Sequence, residues 1–318
     1  MFENLNQNVA LKVDDLVILN KELVEDYIAK NKELFEEITF TDHLNYHMKY
    51  GYNKNHNPVK IAFLDNEIQR IIIKTKNFSQ KRVRIDLMYD GSAYHGFQIQ
   101  ANGKTIQGEL SKLISEVNNK EILVQGASRT DALVHAKMQV IHFDDESNLS
   151  KEEWLRFLNN RLPKDIFITN IELMHPLFHS RYDVYEKEYV YKIKLGDYDP
   201  FLLNYAWNIE YLDFVRLNDQ IKKIIGTHDF TSFAKGIKGD NVRTIYKSGY
   251  KLDDDILEIH ITGNGFLRYM VRLIIAHAIN YATKKIDIDI LEILNEKSRR
   301  HTKNLAPAEG LYLNKIIY

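Results

Sequence analysis

The segment GASRTDALVHAKMQVIHFD, residues 126–144, sets Arg129 two residues ahead of Asp131 in a loop between two predicted strands. A carboxylate so placed is a candidate for a buried, ion-paired group, since a neighbouring cation favours the charged form. The same Arg-x-Asp pair also fits a local charge contact in an exposed turn, which contributes little. Other chemistries have less support. The chain has no cysteine, which excludes disulfides, thiol catalysis and Cys-ligated zinc or iron–sulfur sites. His175 and His179 are four apart, but Pro176 between them argues against a helical metal pair. His43, His47 and His56 come with no HExxH or carboxylate pattern, and Gly263-Asn264-Gly265 is not a GxGxxG loop. Neither a metal nor a nucleotide cofactor is expected.

The elements that would hold Asp131 follow from hydrophobic periodicity. Val83, Ile85, Leu87 and Tyr89 alternate as a half-buried strand that ends at Asp90-Gly91. Ile106, Leu110, Leu113, Ile114 and Val117 share one face of a helix over Thr105–Asn119, with Thr105 as N-cap. A strand at Glu121–Gln125 is expected to enter the Asp131 loop and one at Lys137–Asp144 to leave it. Further on, Trp154–Arg161 reads as helix, and Ile166–Glu172 and Lys187–Leu195 as strands. Phe214–Ile225 is a predicted helix. Arg243–Leu252 and Ile256–Thr262 are strands around the Asp253–Asp255 turn. Arg268–Ala282 is a long apolar helix, Ile288–Asn295 a shorter one, and Leu311–Tyr318 a last strand. Strands and helices mixed in two successive halves predict an α+β protein with a mainly antiparallel sheet.

Composition sets outer bounds. The 318 residues, 44% hydrophobic and 27% charged, suffice for one or two well-cored domains. No apolar run reaches the roughly 18 residues of a membrane span. The first residues have neither a basic flank nor an apolar core, so no signal peptide is expected, and a cytoplasmic location is. Residues 1–80 carry 10 Lys/Arg and 12 Asp/Glu and read as a separate extension. Within it, residues 21–37 have helical spacing, and two strands flank Asp65-Asn66 as a hairpin. The net charge of −1 means that any polyanion must be met by a local patch. Basic clusters occur at Lys81, Arg82 and Arg84; at Lys235, Lys238 and Arg243; at Arg268 and Arg272; and at Lys297, Arg299, Arg300 and Lys303.

Taken in order, eight motifs in residues 82–318 resemble those of the TruA family of tRNA pseudouridine synthases. The string at 126–144 is similar to the family signature GRTDxGVHxxxQVxHF. Tyr89-Asp90-Gly91-Ser92-Ala93-Tyr94-His95-Gly96-Phe97-Gln98-Ile99-Gln100 resembles YDGxxYxGWQxQ, and Thr105–Leu110 resembles TVQGxLE. Residues 159–166 look like NxxLPxDI, 178–193 like FHARFxAxxxxYxY, and HDFTSF at 228–233 is nearly the family's own string. Residues 264–276 resemble NxFLxxMVRxxVG, and APAEGLYL at 306–313 closes the match.

The resemblance implies the pseudouridine synthase fold, in which two α/β halves (here 81–195 and 196–318) share an extended sheet around an active-site cleft. It implies isomerisation of uridine in the anticodon stem-loop of tRNA, by a homodimer that needs no cofactor. Asp131 falls at the nucleophile position and Arg272 at that of its cationic partner. Tyr189 matches the tyrosine that stacks on the flipped base, with help in removing the C5 proton as a second role disfavoured by its ordinary pKa of about 10, and Tyr191 is a core neighbour on the same face. Arg129 matches an arginine that engages RNA, and His135 a residue that supports the loop and so the substrate site. Arg299 and Arg300 are the basic pair expected to contact tRNA, so that neutralising them weakens binding and flattens its salt dependence.

Two departures stand out. Ser128 replaces the signature's first glycine, and Leu133 replaces the glycine two after the nucleophile. If either position requires positive φ, leucine is the less suited occupant. The alternative reading is a TruA-like tRNA-binding protein or RNA chaperone that has lost catalysis. A hydrolase built on Asp131 would lack an evident paired acid.

Overall fold

In the computed structural model, the described residues are 11–13, 16–20, 39–40, 48–52, 58–64, 67–74, 81–236 and 239–318. They form two sheets. The first contains β1 (Leu11–Val13), β2 (Leu16–Asn20), β3 (Thr39–Phe40), β4 (Met48–Tyr52), β5 (Pro58–Leu64) and β6 (Glu67–Lys74), all antiparallel, in the order β1-β2-β6-β5-β4-β3. β5 and β6 pair with Leu64 opposite Glu67, which matches the hairpin expected around Asp65-Asn66. The helix expected at 21–37, and His43, His47, His56 and Lys238, lie outside the described residues.

The second sheet has ten strands. β7 (Lys81–Tyr89), β8 (Gln125–Gly126), β9 (His135–Asp145) and β10 (Ile166–Met174) precede β11 (Glu186–Leu195) and β12 (Trp207–Ile209). β13 (Gly226–Asp229), β14 (Val242–Asp253), β15 (Ile256–Gly263) and β16 (Leu311–Ile317) complete it. The order is β10-β7-β9-β16-β11-β15-β14-β13, with β8 added on β9 and β12 on β11. Every pairing is antiparallel except β9 with β16 and β11 with β12. The fold is therefore α+β around a mainly antiparallel sheet. β11, the last strand of the first half of the chain, lies between β16 and β15 of the second, and β9 also pairs with β16, so strands of the two halves interleave in one sheet.

Among the described residues five α-helices accompany this sheet: α1 (Ile106–Asn118), α2 (Lys151–Arg161), α3 (Phe214–Lys223), α4 (Met270–Ala282) and α5 (Ile290–Glu296). Thr105 caps α1 as its spacing predicts, its hydroxyl accepting from the Gly108 N–H at 3.2 Å. Ile106, Leu110 and Ile114, four apart, are buried on one stripe of this helix. α4 is buried nearly all round, and Arg272, Asn280 and Tyr281 are its partly exposed positions. It begins at Met270 instead of Arg268, because Tyr269 takes φ +66° and breaks the helical run.

The strand expected at Glu121–Gln125 shrinks to a two-residue bridge. Ile122 and Val124 point inward as a strand would place them, but helix side chains satisfy their backbone. The Ser115 hydroxyl accepts from Ile122 N–H at 2.8 Å, and the Ser111 hydroxyl from Val124 N–H at 3.2 Å. Gln107 Nε2 donates to Val124 O at 2.8 Å. With its polar groups already paired, this segment has no need of a neighbouring strand.

The two sheets meet at a buried polar cluster. Asp183, fully buried, accepts from Lys60 Nζ and Tyr50 OH and from the His179 N–H at 2.8 Å. His175 Nε2 lies 3.0 Å from Gly51 O. Each charge here is paired, the condition under which burial of charge is tolerated. Among the described residues no helix is long and apolar enough to cross a membrane, and no group of three or more His, Asp or Glu could hold a metal ion.

Candidate active site

The Asp131 loop is seated on the segment that follows β7. Phe97 N–H donates to Thr130 O at 3.1 Å, and Leu133 N–H donates to Tyr94 O at 3.3 Å. Two glycines allow this approach. A Cβ on Gly91 would lie 2.1 Å from Val134 O, and Gly96 adopts φ +95° with Thr130 O 2.8 Å from where its Cβ would be. The YDG and YxG spacing seen in the sequence is thus the imprint of one backbone packed on another.

Side chains clamp the loop from below. Gln139, fully buried on β9, accepts from Ser128 N–H at 3.2 Å and donates to Ser128 O at 2.8 Å. Tyr89 OH meets Thr130 Oγ1 at 2.7 Å. His135 Nδ1 accepts from Gly91 N–H at 3.1 Å, while Nε2 lies 2.9 Å from Asn204 O and 3.1 Å from Glu309 O. Its ring is 2% exposed and does not line the cavity, so a direct substrate contact through His135 has no geometric support. Loop support, its other expected role, fits these bonds.

Above this platform is a cavity of about 590 Å³, within the range of ligand pockets. Asp131 lines it together with Arg272, the third residue of α4, whose Nη1 donates to Asp131 Oδ2 at 3.1 Å. Arg272 is itself anchored, since its Nε donates to Ala306 O at 2.8 Å. Burial raises the Asp131 pKa above the ordinary carboxylate value, while the guanidinium of Arg272, and more weakly that of Arg268, pulls it back. The pair expected from the resemblance is therefore assembled. The Arg129–Asp131 local contact is not: Arg129 is exposed on the cavity wall, and Asp131 pairs with Arg272 instead.

Tyr189, on β11, forms another wall. Its OH lies 2.8 Å from Ser128 Oγ, and its ring meets Phe266 edge-on with centroids 5.1 Å apart. Ser128, the first departure from the signature, thus tethers the tyrosine hydroxyl. Burial pushes the Tyr189 pKa up to about 12, far from a base at neutrality. Tyr191 sits deeper, buried, with its OH donating to Pro307 O at 2.9 Å. Leu133 adopts φ +67°, so the second departure does place leucine in the left-handed region.

Arg299 and Arg300 lie outside the cavity lining, in a 3-10 turn after α5. Arg299 donates to Thr302 O at 3.2 Å, and Arg300 to Glu296 Oε1 at 2.6 Å. The first basic cluster is largely internally neutralised, with Arg82 bidentate to Asp144 and Arg84 to Asp86. Sequence reasoning gave no role to Arg181, Lys187, Phe266 or Tyr269, which also line the cavity. Lys187 could have been found, because it lies two residues before Tyr189 on the same strand and so shares its face. Tyr269 could not, since its position depends on a positive φ that no local pattern announces.

Comparison with known proteins identifies the family. The sequence model of the family described as tRNA pseudouridine synthase matches residues 87–183 and 221–318. A tRNA pseudouridine synthase A of Geobacillus sp. (strain WCH70) is 42% identical over 244 residues, covering 75% of this chain and 98% of the relative. A tRNA pseudouridine synthase A 1 of Bacillus cereus (strain ZK / E33L) is 42% identical over 243 residues, 74% of this chain and 98% of its own. A tRNA pseudouridine synthase A of Staphylococcus aureus (strain JH1) is 38% identical over 240 residues, 74% of this chain and 90% of its own. A carboxylate–guanidinium pair beside a buried tyrosine, and matches over both halves of the catalytic sheet, lead to one conclusion: this chain belongs to the tRNA pseudouridine synthase family.

Proposed function

We propose that the protein isomerises uridine to pseudouridine in tRNA, with Asp131 as nucleophile, at about positions 38–40 of the anticodon stem-loop. The observation that carries this reading is the 3.1 Å contact between Asp131 and Arg272 inside the cavity. A nucleophilic carboxylate must be ionised yet shielded from water; burial supplies the shielding, and a guanidinium fixed by Ala306 O favours the charge. Asp131 attacks either C1′ of the ribose or the uracil ring. The N1–C1′ bond breaks, the uracil turns, C5 bonds to C1′, and the C5 proton is lost as N1 gains one. Product and substrate are isomers, so the balance requires no co-reactant.

The target base leaves the stack at a cost of a few kcal/mol, offset by phosphate contacts and by stacking on Tyr189. Arg129, exposed and without a hydrogen bond or ion pair among the described residues, is placed to engage the RNA. The working unit in this reading is a homodimer that holds tRNA across both subunits. The test is tritium release from C5-labelled uridine in unmodified tRNA. Release by the wild type and its loss in Asp131→Asn support the enzyme. Binding without release by the wild type overturns it in favour of an RNA chaperone.

A further inference from the structure

We propose that Lys187, flanked by Arg181 and Arg243, forms a subsite for a backbone phosphate of the RNA, on the cavity wall beside Tyr189; the inference rests on the tRNA reading above. Lys187 and Arg181 both line the cavity. The Lys187 ammonium donates to Ala127 O at 2.6 Å, which occupies one of its three N–H donors. Arg181 stands over the ring of Tyr182 at 5.7 Å, and Arg243 donates from Nη1 to the carbonyls of Asp240 and Val242, with the Asp240 carboxylate acting on it at longer range. Among the described residues none of the three cations forms a salt bridge with a carboxylate.

The surrounding charges sharpen the point. Glu188, next on the strand, turns to the opposite face, where it bonds His260 of β15 and Asn314 of β16 with Lys315 nearby. Glu186 is felt at Tyr246. Across the cavity Asp131 is already paired with Arg272, and Arg129 and Arg268 add positive charge to the same wall. Burial, then repulsion from Arg181 and Arg243, pulls the Lys187 pKa down to about 8. Two guanidiniums beside a desolvated ammonium are unfavourable in the free protein and favourable once an anion arrives. A phosphodiester has the charge, the acceptor oxygens and the location, since each nucleotide brings one alongside its base.

The sign of the pH dependence follows. A bound phosphate raises the pKa of Lys187, so RNA affinity is full below pH 8 and falls as pH rises through that value, by up to about tenfold per unit. The experiment measures binding of an unmodified tRNA transcript to the full chain carrying Asp131→Asn, from pH 7 to 9 and over a range of salt. Adding Lys187→Met is expected to weaken binding by about tenfold and to lower the salt slope by about 0.7–0.9. Lys187→Arg should keep the affinity and lose the pH dependence. Arg181→Met should move the pH limb upward, because one source of repulsion is gone, and it serves if Lys187→Met does not fold. An unchanged salt slope and pH profile in Lys187→Met overturns the subsite, even if turnover falls through a slackened Ala127 loop. Absence of tRNA binding by the parent, with no tritium release by the wild type, overturns the tRNA reading and the subsite with it. Tritium release by the wild type with a flat Lys187→Met response overturns the subsite alone.

Discussion

The Asp131 carboxylate and the Arg272 guanidinium, 141 residues apart along the chain, meet at 3.1 Å on the lining of one cavity, where the loop before β9 faces α4. Because burial outweighs the guanidinium, the net shift of Asp131 is upward, and its charge is held against the preference of the site. A group with a raised folded-state pKa destabilises the native state above that pKa, and the penalty disappears as pH falls through it. Asp131→Asn should therefore lose at least about 10⁴-fold in activity while melting no lower than wild type at neutral pH. The two melting temperatures should converge on acidification, as thermal denaturation across pH will record.

Arg272 sets the protonation state of its partner. Arg272→Met removes the charge that lowers the Asp131 pKa, so the acid limb of the pH–rate profile should move to higher pH. Arg272→Lys keeps a charge but cannot hold both Ala306 O and the carboxylate in one rigid fork, and an intermediate shift is expected. A pH–rate profile that stays in place for both variants would contradict this coupling.

Leu133 at φ +67° is strained and 38% exposed, so little packing opposes its replacement. Left-handed backbone costs an L-residue roughly 1–2 kcal/mol, against about 0.5–1 kcal/mol of extra chain entropy for glycine. Leu133→Gly should stabilise by about 0.5–1 kcal/mol with activity retained, and Leu133→Val should destabilise. Chemical denaturation of the two variants gives the comparison.

Tyr189 has its hydroxyl tethered to Ser128 and its pKa pushed up to about 12, so its ring, not its phenolate, is the working part. Tyr189→Phe should keep tritium release within about tenfold, whereas Tyr189→Leu, lacking a π face worth about 1–3 kcal/mol per base, should lose far more. Equal losses in both variants would assign the hydroxyl an essential role instead.

Asp183 joins the N-terminal sheet to the segment that carries Arg181. Lys60→Met leaves this fully buried carboxylate without its cation, and breaking such a pair costs about 3–5 kcal/mol. Limited proteolysis should show the first sheet cleaved faster in Lys60→Met and in Asp183→Asn, with the catalytic sheet still protected.

Much of the fold could be read from local pattern. The alternation of Val83, Ile85 and Leu87 and the four-residue spacing of Ile106, Leu110 and Ile114 became β7 and α1, because burial of one face is a local, periodic demand. Where nonlocal partners intervened, the pattern misled. Glu121–Gln125 reads as a strand, yet the Ser111, Ser115 and Gln107 side chains took its backbone bonds. Of the site, Asp131, Arg272 and Tyr189 were found through motif resemblance, and the chemistry of Arg181 and Lys187 was not found at all.

By itself the sequence determined which residues could be charged and which faces must be buried. The resemblance anticipated the pairing of Asp131 with Arg272; tertiary structure alone decided that Ser128 holds Tyr189 and that Lys187 is crowded by two arginines. The reason is physical. Periodicity records solvent exposure along one element, whereas ion pairing and desolvation depend on which distant segments the parallel contact of β9 with β16 and the burial of α4 bring together.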